Sequence, residues 1–151
     1  LGGALLVAAS LDVVRLRHRR VNEWFFRVLI GLASPREARG VASSTWYLVG
    51  LLVVQLWFPA GAWIPAVLVL ALADPAAGVV GRLWGQRRVG AGTLEGSAAF
   101  FAVSLAVLLA FATPAVALAG AVWVTVWEAL PLPLDDNLIV PVATALALTV
   151  F

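Results

Sequence analysis

Asp74 stands alone in a long apolar run, VLVLALADPAAGVV. A carboxylate among Ala, Leu and Val costs several kcal/mol unless it is paired, hydrated or metal-bound, so acids in such surroundings are functional by default. Pro75 follows and cannot donate a backbone hydrogen bond, which leaves the Ala71 carbonyl without its helical partner. Gly78, Gly81 and Gly85 come four, seven and eleven positions after Asp74. At helical periodicity all four share one face, a groove free of side chains with an acid at its deep end. Arg82 lies near the same stripe, and Arg87 and Arg88 follow at its mouth. A metal-binding carboxylate, backbone bared by glycine and several guanidiniums together suit a polyphosphate. The plainer alternative makes the glycines helix-packing positions and pairs Asp74 with Arg82.

Two further polar elements interrupt the apolar runs. Thr93-Leu94-Glu95-Gly96-Ser97 has the form of a helix start, with Thr93 as N-cap and Glu95 beside the positive helix end. Glu128, and then Asp135-Asp136-Asn137, form a second acidic group. One of these acids can cap a helix, but two adjacent acids and an amide exceed what a cap needs. They suit magnesium binding or acceptance of a hydroxyl proton. A soluble-type phosphate loop is excluded, because GxxxxGK[ST] needs a lysine and all ten basic residues are arginine. Absence of cysteine and a single histidine, His18, argue against thiolate chemistry and a zinc site.

The elements that must position these residues follow from composition. The chain is 63% hydrophobic and 12% charged, with a mean hydropathy of +1.02. About a quarter of residues are charged in soluble domains, so the expected class is an all-α, polytopic integral membrane bundle in one domain over residues 1–151. Six spans are expected, near 1–14, 41–58, 64–83, 95–112, 115–130 and 138–151, and a short interfacial helix over 22–33. The turns at Pro59-Ala60-Gly61 and Thr113-Pro114 make the second and third spans, and the fourth and fifth, neighbours. Seven arginines fall between Leu11 and Val41 and three between Gly81 and Gly90. With the acids, they segregate to one side, which the positive-inside rule makes cytoplasmic. The tract Arg15, Arg17, Arg19 and Arg20 is expected to meet lipid headgroups and fix topology, with no nucleic-acid role. Trp57, Trp63 and Trp84 suit an aromatic belt at the span ends. The chain starts with Leu inside an apolar run, and a preceding N-terminal piece is expected.

At the polar elements the sequence resembles the membrane-embedded lipid kinases, the family of dolichol kinase, phytol kinase and CTP-dependent diacylglycerol kinase. The resemblance lies in DPAAGVVGRLWGQRRVG (Asp74 to Gly90), TLEGSAAFF (Thr93 to Phe101) and DDNLIVP (Asp135 to Pro141), in that order and spacing. A segment from Arg36-Glu37 through Ser44-Thr45-Trp46-Tyr47 and Gly50 extends it, so it covers residues 36–141. Asp74, Gly78, Gly81, Arg82, Glu95, Gly96, Ser97, Asp135, Asp136 and Asn137 match the family pattern. Many members carry a lysine where this chain has Gly92, which leaves Arg87 or Arg88 to supply that contact to phosphate.

The resemblance implies magnesium-dependent transfer of the terminal phosphate of CTP, or another nucleoside triphosphate, to the hydroxyl of a polyprenol, dolichol, phytol or diacylglycerol at the cytoplasmic face. Asp74, Asp135 and Asp136 would then be catalytic and hold magnesium. Gly78, Gly81, Arg82, Arg87, Arg88, Thr93, Glu95, Gly96, Ser97 and Asn137 would bind nucleotide. This requires the third, fourth and sixth spans to converge. Phosphatidate cytidylyltransferases resemble the same Asp, GR and TxEG elements, but their usual closing Gly-His-Gly-Gly and Asp-Arg segment is missing here. A small transporter or scaffold, with Asp74 as an ion site, would need polar access from both sides, and the external turns carry no charge. Partners expected are the bilayer, a lipid alcohol and a nucleotide; a homo-oligomer is compatible with the sequence.

Overall fold

The computed structural model describes residues 1–29 and 35–151, and these form an all-α protein. Seven helices follow in order: α1 (Gly2–Arg17), α2 (Arg19–Val28), α3 (Ser43–Trp57), α4 (Ala60–Trp84), α5 (Leu94–Leu109), α6 (Pro114–Ala129) and α7 (Asp136–Val150), with a 3-10 turn over Pro35–Ala38. Six of them, α1 and α3 to α7, fall on the stretches expected as spans. α2 occupies the expected interfacial segment, of which residues 30–33 lie outside the described residues. A feature not anticipated is a small antiparallel hairpin between α4 and α5, β1 (Arg88–Val89) on β2 (Gly92–Thr93), paired Arg88 to Thr93 and Val89 to Gly92.

Local chemistry explains the helix ends. Thr93 caps α5, its hydroxyl accepting from the Gly96 amide at 3.1 Å, and Asp135 caps α7, its carboxylate accepting from the Asn137 amide at 3.1 Å. Pro114 opens α6, where its missing N–H costs nothing. α4 runs unbroken through Pro65 and Pro75. It is long and apolar enough to cross a membrane, whereas α3, α5, α6 and α7 are apolar but shorter, at 15 or 16 residues. At 1.5 Å per residue these rise about 22–24 Å.

The interior is built from small residues. Ala66, Ala73, Ala117, Ala121 and Ala145 are fully buried, together with Phe100, Leu108, Val69 and Val124. Large apolar side chains such as Leu56, Leu83, Val126 and Val150 point outward. Helix α7 packs against α3, α4 and α6, and α4 packs most heavily on α5. The expected pairing of α3 with α4 is only light, because α3 packs mainly on α7 and α4 mainly on α5. Pro141 within α7 frees the Asn137 carbonyl from its helical bond. Gly50 of α3 lies against that carbonyl so closely that a Cβ would collide with its oxygen. The helices at the third, fourth and sixth expected spans, α4, α5 and α7, are brought together through α4, which contacts both of the others.

The N-terminal helices are held by a buried cation. Arg15 is 1% exposed. Its guanidinium donates to Asp12 Oδ1 at 2.6 Å, to the Glu37 carbonyl at 2.7 Å, to the Gly40 carbonyl at 2.6 Å and to Asn22 Oδ1 at 3.1 Å, and it sits 4.9 Å from the centre of the Phe25 ring. Asp12 Oδ2 in turn accepts from the Ala42 amide at 3.0 Å. The headgroup role expected for the tract therefore does not apply to Arg15. Its guanidinium ties the backbone at Glu37 and Gly40 to α1.

Candidate active site

Asp74, half-buried on α4, and Gly78, Gly81 and Gly85 line one side of a polar cavity of about 660 Å³. The close approach of α5 makes its floor. A Cβ on Gly96 would stand 3.1 Å from the Ala77 carbonyl and 3.6 Å from Gly81 Cα, so the two helices cross backbone on backbone. Thr93 covers the upper part, and a Cβ on Gly85 would overlap the Gly81 carbonyl and press on Thr93. The glycines thus both pack and expose backbone: Gly81 and Gly96 make the crossing, and Gly78 opens the cavity. Arg82 folds back over Gly78, Nη1 lying 3.4 Å from where a Cβ would be. Among the described residues Asp74 forms no ion pair with Arg82, so that explanation for a carboxylate in the apolar run does not hold.

The far wall comes from α6. Glu128 lines the cavity and accepts from the Ser97 hydroxyl at 3.3 Å. The hairpin forms the rim, contributing Arg88 and Gly92. It is fastened to the end of α6, where the Ala91 amide donates to the Ala129 carbonyl at 3.1 Å. Gly90 makes the turn with φ of +53°, in the left-handed region, and a Cβ there would run into the same Ala129 carbonyl.

A second, smaller cavity of about 210 Å³ shares Asp74 and is otherwise lined by Glu37, Val41, Ser43, Asp135, Asp136 and Asn137. Asp135 Oδ1 accepts from the Asn137 side-chain amide at 2.7 Å, and Oδ2 accepts from the Ser43 hydroxyl at 3.5 Å. Asp74 lies within electrostatic range of Asp135 and Glu128, and Glu128 within range of Asp136. Four carboxylates from α4, α6 and the start of α7 therefore act on one region.

Of the residues singled out from sequence, Asp74, Gly78, Gly81, Arg82, Arg88, Thr93, Gly96 and Ser97 meet in the larger cavity, and Asp135, Asp136 and Asn137 meet Asp74 in the smaller one. Two stand apart. Arg87 lines neither cavity. Glu95 faces the backbone leaving α4, its carboxylate accepting from the Gln86 amide at 3.1 Å and the Arg87 amide at 3.4 Å. It fixes the hairpin's base, which is a different task from touching a ligand. Ser43 and Glu37 are additions. Both lie in the stretch from Arg36 to Gly50 that extends the resemblance, but no site role was expected of them; Ser43 reaches the acids because α3 packs on α7, and Glu37 comes from the 3-10 turn before it.

Among the described residues no three acid or histidine side chains converge closely enough to hold a metal ion by themselves. Magnesium bound with nucleotides usually takes one or two carboxylates and completes its shell with phosphate oxygens and water. The donor set around Asp74 and Asp135 fits that mode. Comparison of the chain with known protein families, characterised proteins and solved structures yields no match.

Proposed function

We propose that the protein is a multi-pass membrane phosphotransferase that moves the terminal phosphate of CTP, or another nucleoside triphosphate, to the hydroxyl of a membrane lipid alcohol. The observation that carries this reading is the sharing of Asp74 between a glycine-floored, arginine-rimmed cavity and a smaller acid-lined one. The first suits phosphates, because exposed backbone and guanidiniums favour anionic oxygen. The second suits a hydroxyl that must lose a proton. The motif resemblance to the dolichol and phytol kinases supports the same assignment.

In this reading Arg82 and Arg88 offset charge on the triphosphate over Gly78 and Gly81, and Thr93 and Ser97 line its seat. Magnesium, when it arrives with the nucleotide, would neutralise phosphate charge from the side of Asp74 and Asp135. The acceptor oxygen attacks the terminal phosphorus, and the bond from phosphorus to the bridging oxygen breaks with its electrons leaving on the nucleoside diphosphate. The hydroxyl proton passes to Asp135 or Asp136 and then to solvent. Positioning and charge supply most of the acceleration in such transfers. Arg87 is better placed to meet lipid headgroups or incoming nucleotide than to touch the reacting phosphate.

Membrane placement rests on α4 and on the small-inside, large-outside distribution of apolar side chains, the pattern of helices packed within lipid. The shorter helices α3, α5, α6 and α7 would cross with the help of their flanking turns or a locally thinned bilayer. Arg82 and Arg88 line the larger cavity, and by the positive-inside rule this supports a cytoplasmic active face. The test is incubation of purified protein with magnesium, γ-labelled CTP or ATP and a panel of polyprenol, dolichol, phytol and diacylglycerol. Label in a lipid with release of nucleoside diphosphate is the expected result. Release of pyrophosphate with CDP-lipid from phosphatidate would move the assignment to a cytidylyltransferase.

A further inference from the structure

We infer that Glu128 reads the donor's sugar: one of its oxygens accepts from the vicinal hydroxyls of a ribonucleoside triphosphate, and the cavity thereby selects nucleotides that carry them. This rests on the phosphotransferase reading above. Glu128 is half-buried near the end of α6 and lines the polar cavity of about 660 Å³. Its two oxygens differ. Oε2 accepts from the hydroxyl of Ser97, a buried residue of α5, at 3.3 Å, so the carboxylate is held at one end. Among the described residues no hydrogen bond reaches Oε1, and it faces the rim, where a Cβ on Gly92 would stand 4.0 Å away. The hairpin is fastened beside it. The Ala91 amide donates to the Ala129 carbonyl at 3.1 Å and Gly90 lies against that same carbonyl, which fixes Gly92 relative to Glu128. Glycine at this position leaves a gap beside an anchored carboxylate.

A carboxylate in a cavity suited to phosphate needs an occupant other than phosphate. Ionised carboxylate oxygens accept hydrogen bonds, and at close range they repel anionic oxygen. Arg82 and Arg88 line the same cavity, yet among the described residues neither forms an ion pair with Glu128. The acceptor alcohol meets the terminal phosphate on the side of Asp74, which the small cavity shares, so the triphosphate runs from Asp74 towards the rim and the nucleoside comes last. At the rim Oε1 meets the neutral part of the ligand. Sugar hydroxyls are the donors that every ribonucleotide presents beside its phosphates, and an acid accepting from a ribose hydroxyl is a recurrent way of holding nucleotides. A basic side chain at position 92 would instead claim Oε1 for an ion pair and fill the gap.

The test is equilibrium binding of CTP, ATP and their 2′,3′-dideoxy counterparts, with magnesium, to the full chain in phosphatidylcholine nanodiscs free of lipid alcohol. At least one of the two ribonucleotides is expected to bind about tenfold more tightly than its dideoxy counterpart, the scale of one hydrogen bond to a charged group. Glu128→Ala should bring the ribonucleotide down to the dideoxy level and leave the dideoxy nucleotide unchanged. Gly92→Lys should also remove the preference while both nucleotides still bind. Gly92 has no positive φ, so lysine suits its backbone, and this variant decides the matter where Glu128→Ala does not fold. Equal affinity for ribose and dideoxyribose forms in the unchanged protein, a Glu128→Ala loss that falls equally on both, or a preference that both variants keep would overturn the inference. Binding is read without catalysis. A Glu128-dependent preference in a protein that transfers no phosphate to lipid would sink the kinase reading alone. Transfer without the preference would sink this inference alone, and no binding of either nucleotide would sink both.

Discussion

Asp74 is the side chain on which the site turns, because it borders both polar cavities and has no cation of its own among the described residues. Asp74→Asn keeps shape and removes charge. Turnover is expected to fall by at least about a hundredfold, the scale seen when one preorganised electrostatic group is removed from a transition state. Unfolding behaviour should be unchanged, and a folded variant with full turnover would take Asp74 out of the mechanism. Gly50 acts at the same scale through packing alone. In Gly50→Ala the new methyl meets the Asn137 carbonyl, which Pro141 leaves without a helical donor. A loss of about 1–3 kcal/mol is expected, as for other overpacked sites, read as a lower thermal midpoint in detergent.

At the scale of elements, the segment from the 3-10 turn to the start of α3 carries Glu37, Val41 and Ser43 to the small cavity, and Arg15 holds it there through the Glu37 and Gly40 carbonyls. In Arg15→Met the Asp12 carboxylate, 7% exposed, would be left buried without its cation. That is expected to cost about 3–5 kcal/mol, and Asp12→Leu combined with Arg15→Met should recover part of it, because breaking one side of a buried pair is worse than replacing both. Thermal midpoints of the two single variants and the double variant check this. Little loss in Asp12→Leu, with equal losses in Arg15→Met and the double variant, would mean that the carbonyl contacts, and not the ion pair, dominate. The hairpin is a second positioning element. Glu95 at its base and Gly90 at its tip tie it to the end of α4 and to α6, which keeps Arg88 on the cavity rim.

For the whole molecule, the proposed topology can be read directly because the chain has no cysteine. Single cysteines at Arg17 and Gln86 should react with an impermeant maleimide only from the cytoplasmic side, and cysteines at Gly61 and Ala112 only from the opposite side. Reaction of all four from one side would remove the multi-pass arrangement. Among the described residues α4 alone meets the length and apolarity needed to cross. The remaining bundle depends on α7, which packs on three other helices and carries the acids at its start.

Composition and spacing determine much of this. Helix positions were legible because apolar runs are punctuated by Pro59, Pro114 and the polar elements, each of which ends or starts a helix for a local reason. The shared face of Asp74, Gly78, Gly81 and Gly85 follows from helical period and nothing else. The neighbouring of α5 and α6 was legible from the short turn at Thr113-Pro114, but other partnerships across the bundle were not. A uniform apolar exterior carries no instruction about which helix lies beside which, so α7 between α3 and α4, and Glu128 opposite Ser97, emerge only from packing small residues against one another. The same holds for charge. Arg15 falls in a tract that reads as a headgroup contact, and Glu95 in a motif that the resemblance makes nucleotide-binding, but the tertiary structure turns each onto backbone groups.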